Sequence, residues 1–156
     1  MTAIIESITK ELLVAASQET AFTVFTGKMD LWWPKTHHIG KCPMVELVLE
    51  QQQGGRWYSR HEDDSEADIG YVLTWNPYGK LVLAWQVDGN FQYDPTLITE
   101  VEVNFIPEGP KTTRIIVEHR DLEKLAGGSK LIESMDEGWG MIMNLYKNVA
   151  EGIYRQ

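Results

Sequence analysis

The chain has 156 residues, 43% apolar and 24% charged, a length and composition that fit one globular domain burying about 70% of its unfolded surface. A net charge of −9 leaves no excess of cations to hold a phosphate backbone or an anionic bilayer, which excludes nucleic acid and membranes as main partners. No apolar run approaches the ~20 residues that span a bilayer, the N-terminus lacks a secretory pattern, and Cys42 stands alone, so a cytoplasmic location is expected.

With no internal repeat, low-complexity tract or linker, residues 1–156 read as a single domain. Ile4 to Val14 reads as a first strand. Ser17 caps a short helix over Gln18 to Thr26, whose apolar face carries Ala21, Phe22, Val24 and Phe25, and Gly27 reads as its C-cap. Met29 to Trp33 reads as a second short helix or turn, stopped by Pro34.

The hydrophobic period then changes to two. Val45, Leu47 and Leu49 alternate with Glu46 and Glu50, and Trp57, Ser59 and His61 share one face of the next strand. Ile69, Tyr71, Leu73 and Trp75 make a third set; Leu81, Leu83, Trp85 and Val87 a fourth. Val101, Val103 and Phe105, then Ile115, Val117 and His119, complete the pattern. One apolar and one polar face is the mark of antiparallel strands buried on one side. Asp63-Asp64-Ser65, Asn76 to Gly79 and Pro107 to Pro110 supply turn chemistry, and Gly127-Gly128-Ser129 breaks the chain before a last helix. From Lys130 to Tyr154, Leu131, Met135, Gly138, Ile142, Leu145, Val149 and Ile153 recur at intervals of three and four. Ile132, Trp139, Met143 and Tyr146 widen that stripe, so the helix needs a concave partner, and a sheet curved around it supplies one.

The segments LLVAASQETAFTVFT, WWP, GGRW, GYVLTWNPYGKLVLAWQ, TEVEVNFIPEG, TTRIIVEH and the terminal GW occur in an order that resembles the START-like (SRPBCC) helix-grip superfamily, in its activator of Hsp90 ATPase branch. The likeness runs from Glu6 to Ile153. It implies an α+β fold: a curved antiparallel sheet of six or seven strands around a long C-terminal helix, with two short helices after the first strand. It also implies a hydrophobic ligand, since members of the superfamily bind lipids, polyketides, plant hormones and similar molecules, and a few act on them.

If the strand parity holds, Trp33, Trp57, Tyr71, Trp75, Trp85, His119 and Trp139 point inward. Of these Trp33, Trp57, Tyr71, Trp85, His119 and Trp139, with Met135 and Met143 from the helix, are the candidate ligand-binding residues, and Trp75 reads as core. Phe91 and Tyr93, in the longest connection, read as a lid or a homodimer contact. His37, His38 and Cys42 lie close together but lack metal-site spacing, so no metal or cofactor is expected. No Ser-His-Asp elbow, P-loop or dinucleotide fingerprint occurs, Asp136 reads as a polar-face residue, and enzymatic activity is the minority expectation. The expected function is binding a small hydrophobic or amphipathic molecule between sheet and helix. The alternatives are a co-chaperone-type module with an Hsp90-like partner, and a cyclase- or hydrolase-like enzyme using His119 or Asp136.

Overall fold

A computed structural model describes residues 7–34, 44–88, 92–125 and 128–152. Strands β1 (Ile8–Val14), β2 (Met44–Leu49), β3 (Arg56–His61), β4 (Glu66–Asn76), β5 (Lys80–Trp85), β6 (Thr99–Gly109) and β7 (Thr112–Arg120) form one antiparallel sheet in the order β1-β7-β6-β5-β4-β3-β2. Helices α1 (Gln18–Gly27) and α2 (Met29–Trp32) follow β1, and the long α3 (Gly128–Ala150) closes the chain. The sheet curls around α3 as the helix-grip pattern requires, and α3 also packs against α1, α2 and β1.

Local chemistry accounts for the element ends. Ser17 Oγ accepts from Thr20 N at 3.2 Å, which satisfies one orphan donor of the first turn of α1. Gly27 is not a left-handed cap, contrary to its sequence reading: α1 runs through it, and Lys28 N donates to Val24 O at 3.2 Å to close the helix. Helix α3 begins at Gly128, earlier than Lys130, and stops at Ala150 because Gly152 adopts φ +73°, a left-handed turn that glycine permits. Beyond it Ile153 and Tyr154 lie outside the described residues, as do Ile4, His37, His38, Cys42, Phe91 and Gly127.

Strands β6 and β7 alternate as their sequences predict, with Val101, Val103, Phe105, Ile115, Val117 and His119 inward. Bulges change the phase elsewhere. In β2 Val45 is the extra residue and is exposed, and Met44 takes the buried place expected for it. Strand β4 has two bulges, where Ile69 is skipped in the pairing with β3 and Leu73 in the pairing with β5. Gly70 and Val72 therefore face inward, and Tyr71 pairs with Arg56 and Ala84 on the outer face. Tyr71 is thus not on the concave face where strict alternation put it. The β6–β7 turn also falls later than expected, since β6 continues through a bulge to Gly109.

Two aromatic groups fill the concave side. Around Phe25 are Trp32 (ring centroids 4.9 Å apart), Phe105 (5.6 Å) and Tyr146 (5.2 Å), with Phe22 touching Trp75 and Phe105. Tyr146 anchors α3 to α1 by donating to Ala21 O at 2.7 Å. The second group lies next to the first, joined through Trp32 and Trp33 at 6.0 Å. On the convex side Arg56 pairs with Glu66 and Asp68, Arg114 with Glu11 and Glu108, and Arg120 with Glu100, Glu102 and Glu118. These cross-strand ion pairs make the outer face a charged lattice.

Gly138 sits mid-helix in α3 with no atom within 4 Å of the place a Cβ would occupy. Gly138→Ala should stabilise the protein by about 0.5–1 kcal/mol, because alanine removes the backbone-entropy cost of a helical glycine. Urea unfolding of the two proteins measures it, and a destabilised variant would mean the space is not free.

Candidate functional site

Four elements each bring one tryptophan to the same place. Trp33 follows α2 at its C-cap, Trp57 stands on β3, Trp85 on β5 and Trp139 on α3. Trp33 lies 6.0 Å from Trp57, 6.4 Å from Trp85 and 6.1 Å from Trp139, centroid to centroid, and Trp57 and Trp85 are 5.7 Å apart. The strand pairing explains the last contact. Trp57 is opposite Gly70, which is opposite Trp85, so the residue between the two indoles has no side chain to hold them apart.

His119 completes the set at 5.1 Å from Trp85 and 6.0 Å from Trp139. Both its ring nitrogens are used. Trp139 Nε1, a donor only, donates to Nδ1 at 3.2 Å, which places the proton of the neutral ring on Nε2. Nε2 then donates to Thr99 Oγ1 at 2.8 Å, whose own hydroxyl points to Trp85 O at 3.3 Å. Burial pushes the His119 pKa down to about 3, so the ring is neutral across the physiological range. It ties β6, β7 and α3 together and does not stand at a solvent-facing mouth.

The set is covered unevenly. Trp33, Trp57 and Trp139 are buried, whereas Trp85 is half-buried. Along α3, Trp139, Ile142, Met143, Tyr146 and Ala150 are buried, but Leu131, Ile132 and Met135 are only half-buried. Met135 lies one turn before Trp139 on the same helix face, so this side leads from solvent toward the tryptophans. Leu145, assigned to the buried stripe by its spacing, is 38% exposed. Tyr93 is exposed and bridges to Val87.

One polar atom in this region has no partner. Trp57 is 1% exposed, and its Nε1 is the buried side-chain nitrogen or oxygen left without a hydrogen bond among the described residues. Three other indoles are satisfied: Trp32 donates to Val24 O, Trp85 to Val87 O, and Trp139 to His119. Leaving an N–H dry costs about 1–3 kcal/mol. Two and four residues along the same strand face, Ser59 Oγ and His61 Nε2 are 2.9 Å apart and fully buried. Sequence spacing placed Trp57, Ser59 and His61 on one face but gave no sign of which donor lacks a partner.

Other features lie apart from the tryptophans. An open groove of about 590 Å³ runs between Ser7, Ile8 and Thr9 and the Ile132, Glu133, Asp136 and Glu137 side of α3. Asp136 is exposed there and pairs with Lys10 at 3.0 Å, a polar-face role. Among the described residues no three His, Cys, Asp or Glu side chains converge as a metal site would need, and no helix is long and apolar enough to cross a membrane.

Sheet, helix and inward-facing aromatic set define a helix-grip protein. The model of the family described as activator of Hsp90 ATPase homolog 1-like protein matches residues 15–151, and the chain belongs to that family. It is similar to an anthrahydroquinone-γ-pyrone synthase, Txn09, solved with a ligand, at 32% identity over 90% of this chain and 97% of that one, with a TM-score of 0.64. It is also similar to CalC, a self-sacrificing resistance protein from Micromonospora echinospora, at 27% identity over 97% of both chains, with a TM-score of 0.71. An Aha1 dimer from Colwellia psychrerythraea shares the fold at 12% identity over 94% of this chain and 97% of that one, with a TM-score of 0.66. No curated protein matches the chain.

Proposed function

We propose that this protein binds a small, planar, largely apolar aromatic molecule against Trp33, Trp57, Trp85 and Trp139, with Met135 and Met143 of α3 completing the walls. The convergence of four tryptophans from four elements, beneath the less covered half of α3, carries the reading. Indole faces give large, ring-tolerant contact area, as a flat ligand needs. The likeness to a synthase named for a γ-pyrone joined to an anthrahydroquinone supports the ligand class. Entry requires one ring to yield, and Trp33 is best placed to do so because it follows a four-residue helix instead of standing on the sheet or α3.

Binding is favoured over turnover by His119. With both nitrogens bonded and its pKa near 3, it cannot take up a proton at neutral pH. The charged lattice on the convex face weighs against an apolar co-chaperone surface there, although Leu13 and Ile106 are exposed beside Arg114. The reading includes a cytoplasmic protein, in keeping with its one cysteine. Self-association through Tyr93 is a separate proposal, motivated by that ring's exposure; sedimentation that finds only monomer at high concentration would remove it.

Xanthone, a tricyclic γ-pyrone, is the test ligand. Titrated into the protein, it should quench tryptophan fluorescence saturably, with one site and a dissociation constant in the micromolar range. A linear, unsaturable response up to the solubility limit would reject the binding site.

A further inference from the structure

The inward face of β3 carries a polar seam: the indole N–H of Trp57, which has no partner among the described residues, then the buried Ser59–His61 pair. An indole nitrogen donates and never accepts, so only an acceptor atom satisfies it. Ser59 is otherwise engaged, its Oγ lying 2.9 Å from His61 Nε2 and 3.4 Å from Ala67 O. Among the described residues no Lys, Arg, Asp or Glu is buried, so a charged ligand group entering here would stay uncompensated. An uncharged oxygen acceptor fits both conditions.

We propose that Trp57 Nε1 is the polar anchor of the site and that the ligand is a neutral ring system bearing a carbonyl oxygen, as in a quinone, pyrone or lactone. This rests on the aromatic-ligand reading above and adds the group that fixes the ligand's orientation. A hydrogen bond formed in binding normally replaces one to water on each partner, and the net gain is small. Here the protein gives up no hydrogen bond of its own, because the buried donor has no partner among the described residues. A carbonyl is therefore worth more to this site than a carbonyl placed on a solvated donor. The site should discriminate against the same ring without the oxygen, as sites built to hydrogen-bond a substrate do.

Xanthone and xanthene test this directly, since they share the tricycle and differ in a carbonyl against a methylene. Wild-type protein should bind xanthone at least tenfold more tightly than xanthene. In Trp57→Phe both ligands lose some of the indole's contact area, but the fall in affinity should be about tenfold greater for xanthone than for xanthene. Equal affinity of the wild type for the two ligands, or an equal loss of both in the variant, overturns the anchor and leaves the aromatic site standing. Failure of wild type to bind either ligand overturns the site and the anchor together. A second measurement uses only wild-type protein: in ¹⁵N-indole spectra the assigned Trp57 Nε1 proton should move downfield with xanthone and not with xanthene. No such difference, whether or not Trp57→Phe folds, counts against the anchor.

Discussion

Gly70→Ala is expected to cost more than about 4 kcal/mol, a large share of the 5–15 kcal/mol that holds a domain of this size together. A Cβ built on Gly70 falls 1.7 Å from Ala84 O and 2.8 Å from its carbonyl carbon. Those atoms belong to the backbone of β5, so no side-chain rotation relieves the clash. The strands must part, and the pairs Gly70–Trp85 and Tyr71–Ala84 are lost with them. The same movement would pull Trp57 and Trp85 out of contact, because both are held opposite Gly70. Urea unfolding should show a collapsed midpoint or insoluble protein. Gly109→Ala is the control, with nothing within 4 Å of its Cβ position, and should shift stability by less than about 0.5 kcal/mol. Similar behaviour of the two variants would disprove the close approach of β4 to β5.

That glycine also marks where sequence periodicity stopped being a guide. Strands β6 and β7 have no bulge within their alternating cores, so Val101, Val103, Ile115 and Val117 fall where a period of two places them. In β4 two inserted residues shift the phase, and Tyr71 moves to the outer face. A glycine inside an apolar strand signals a bulge or a close backbone contact, and Gly70 was the visible warning. Glycine type alone misled at Gly27, where the helix continues, because a cap depends on φ and not on identity. Ser17 was legible because its cap bond reaches only to Thr20. Trp33, Trp57, Trp85 and Trp139 could be picked out as inward aromatics, and the structure brings them together. Their hydrogen bonds could not be read, because Trp139 meets His119 across a helix–sheet contact and Trp57 Nε1 finds no acceptor among the described residues.

The His119 network should make stability fall steeply with acid, in a pH window set by one group. Unfolded, a histidine titrates near 6.5; in the fold, burial among Trp85, Trp139 and Thr99 holds His119 neutral until about pH 3. Between those values the unfolded chain binds a proton that the folded protein refuses, so the proton favours unfolding. The stability tied to neutral His119 is therefore complete above pH 6.5 and declines as pH falls toward 3. From pH 7 to pH 5 the loss should be about 2 kcal/mol, and on the order of 4 kcal/mol over the whole window. Carboxylates act lower: hydrogen bonds from Asn104 to Glu102 and from Thr96 to Asp94 hold both below their ordinary range, so their contribution is lost only in stronger acid. His119→Gln retains an acceptor and a donor at the position but cannot titrate, and its unfolding free energy should change by about 2 kcal/mol less between pH 7 and pH 5. Subtracting the two pH profiles removes the other histidines, which both proteins share. Parallel profiles would mean that His119 gains a proton in the folded state as readily as in the unfolded one. The buried chain from Trp139 through His119 to Thr99 would then have to be open to solvent, and with it the floor of the aromatic site.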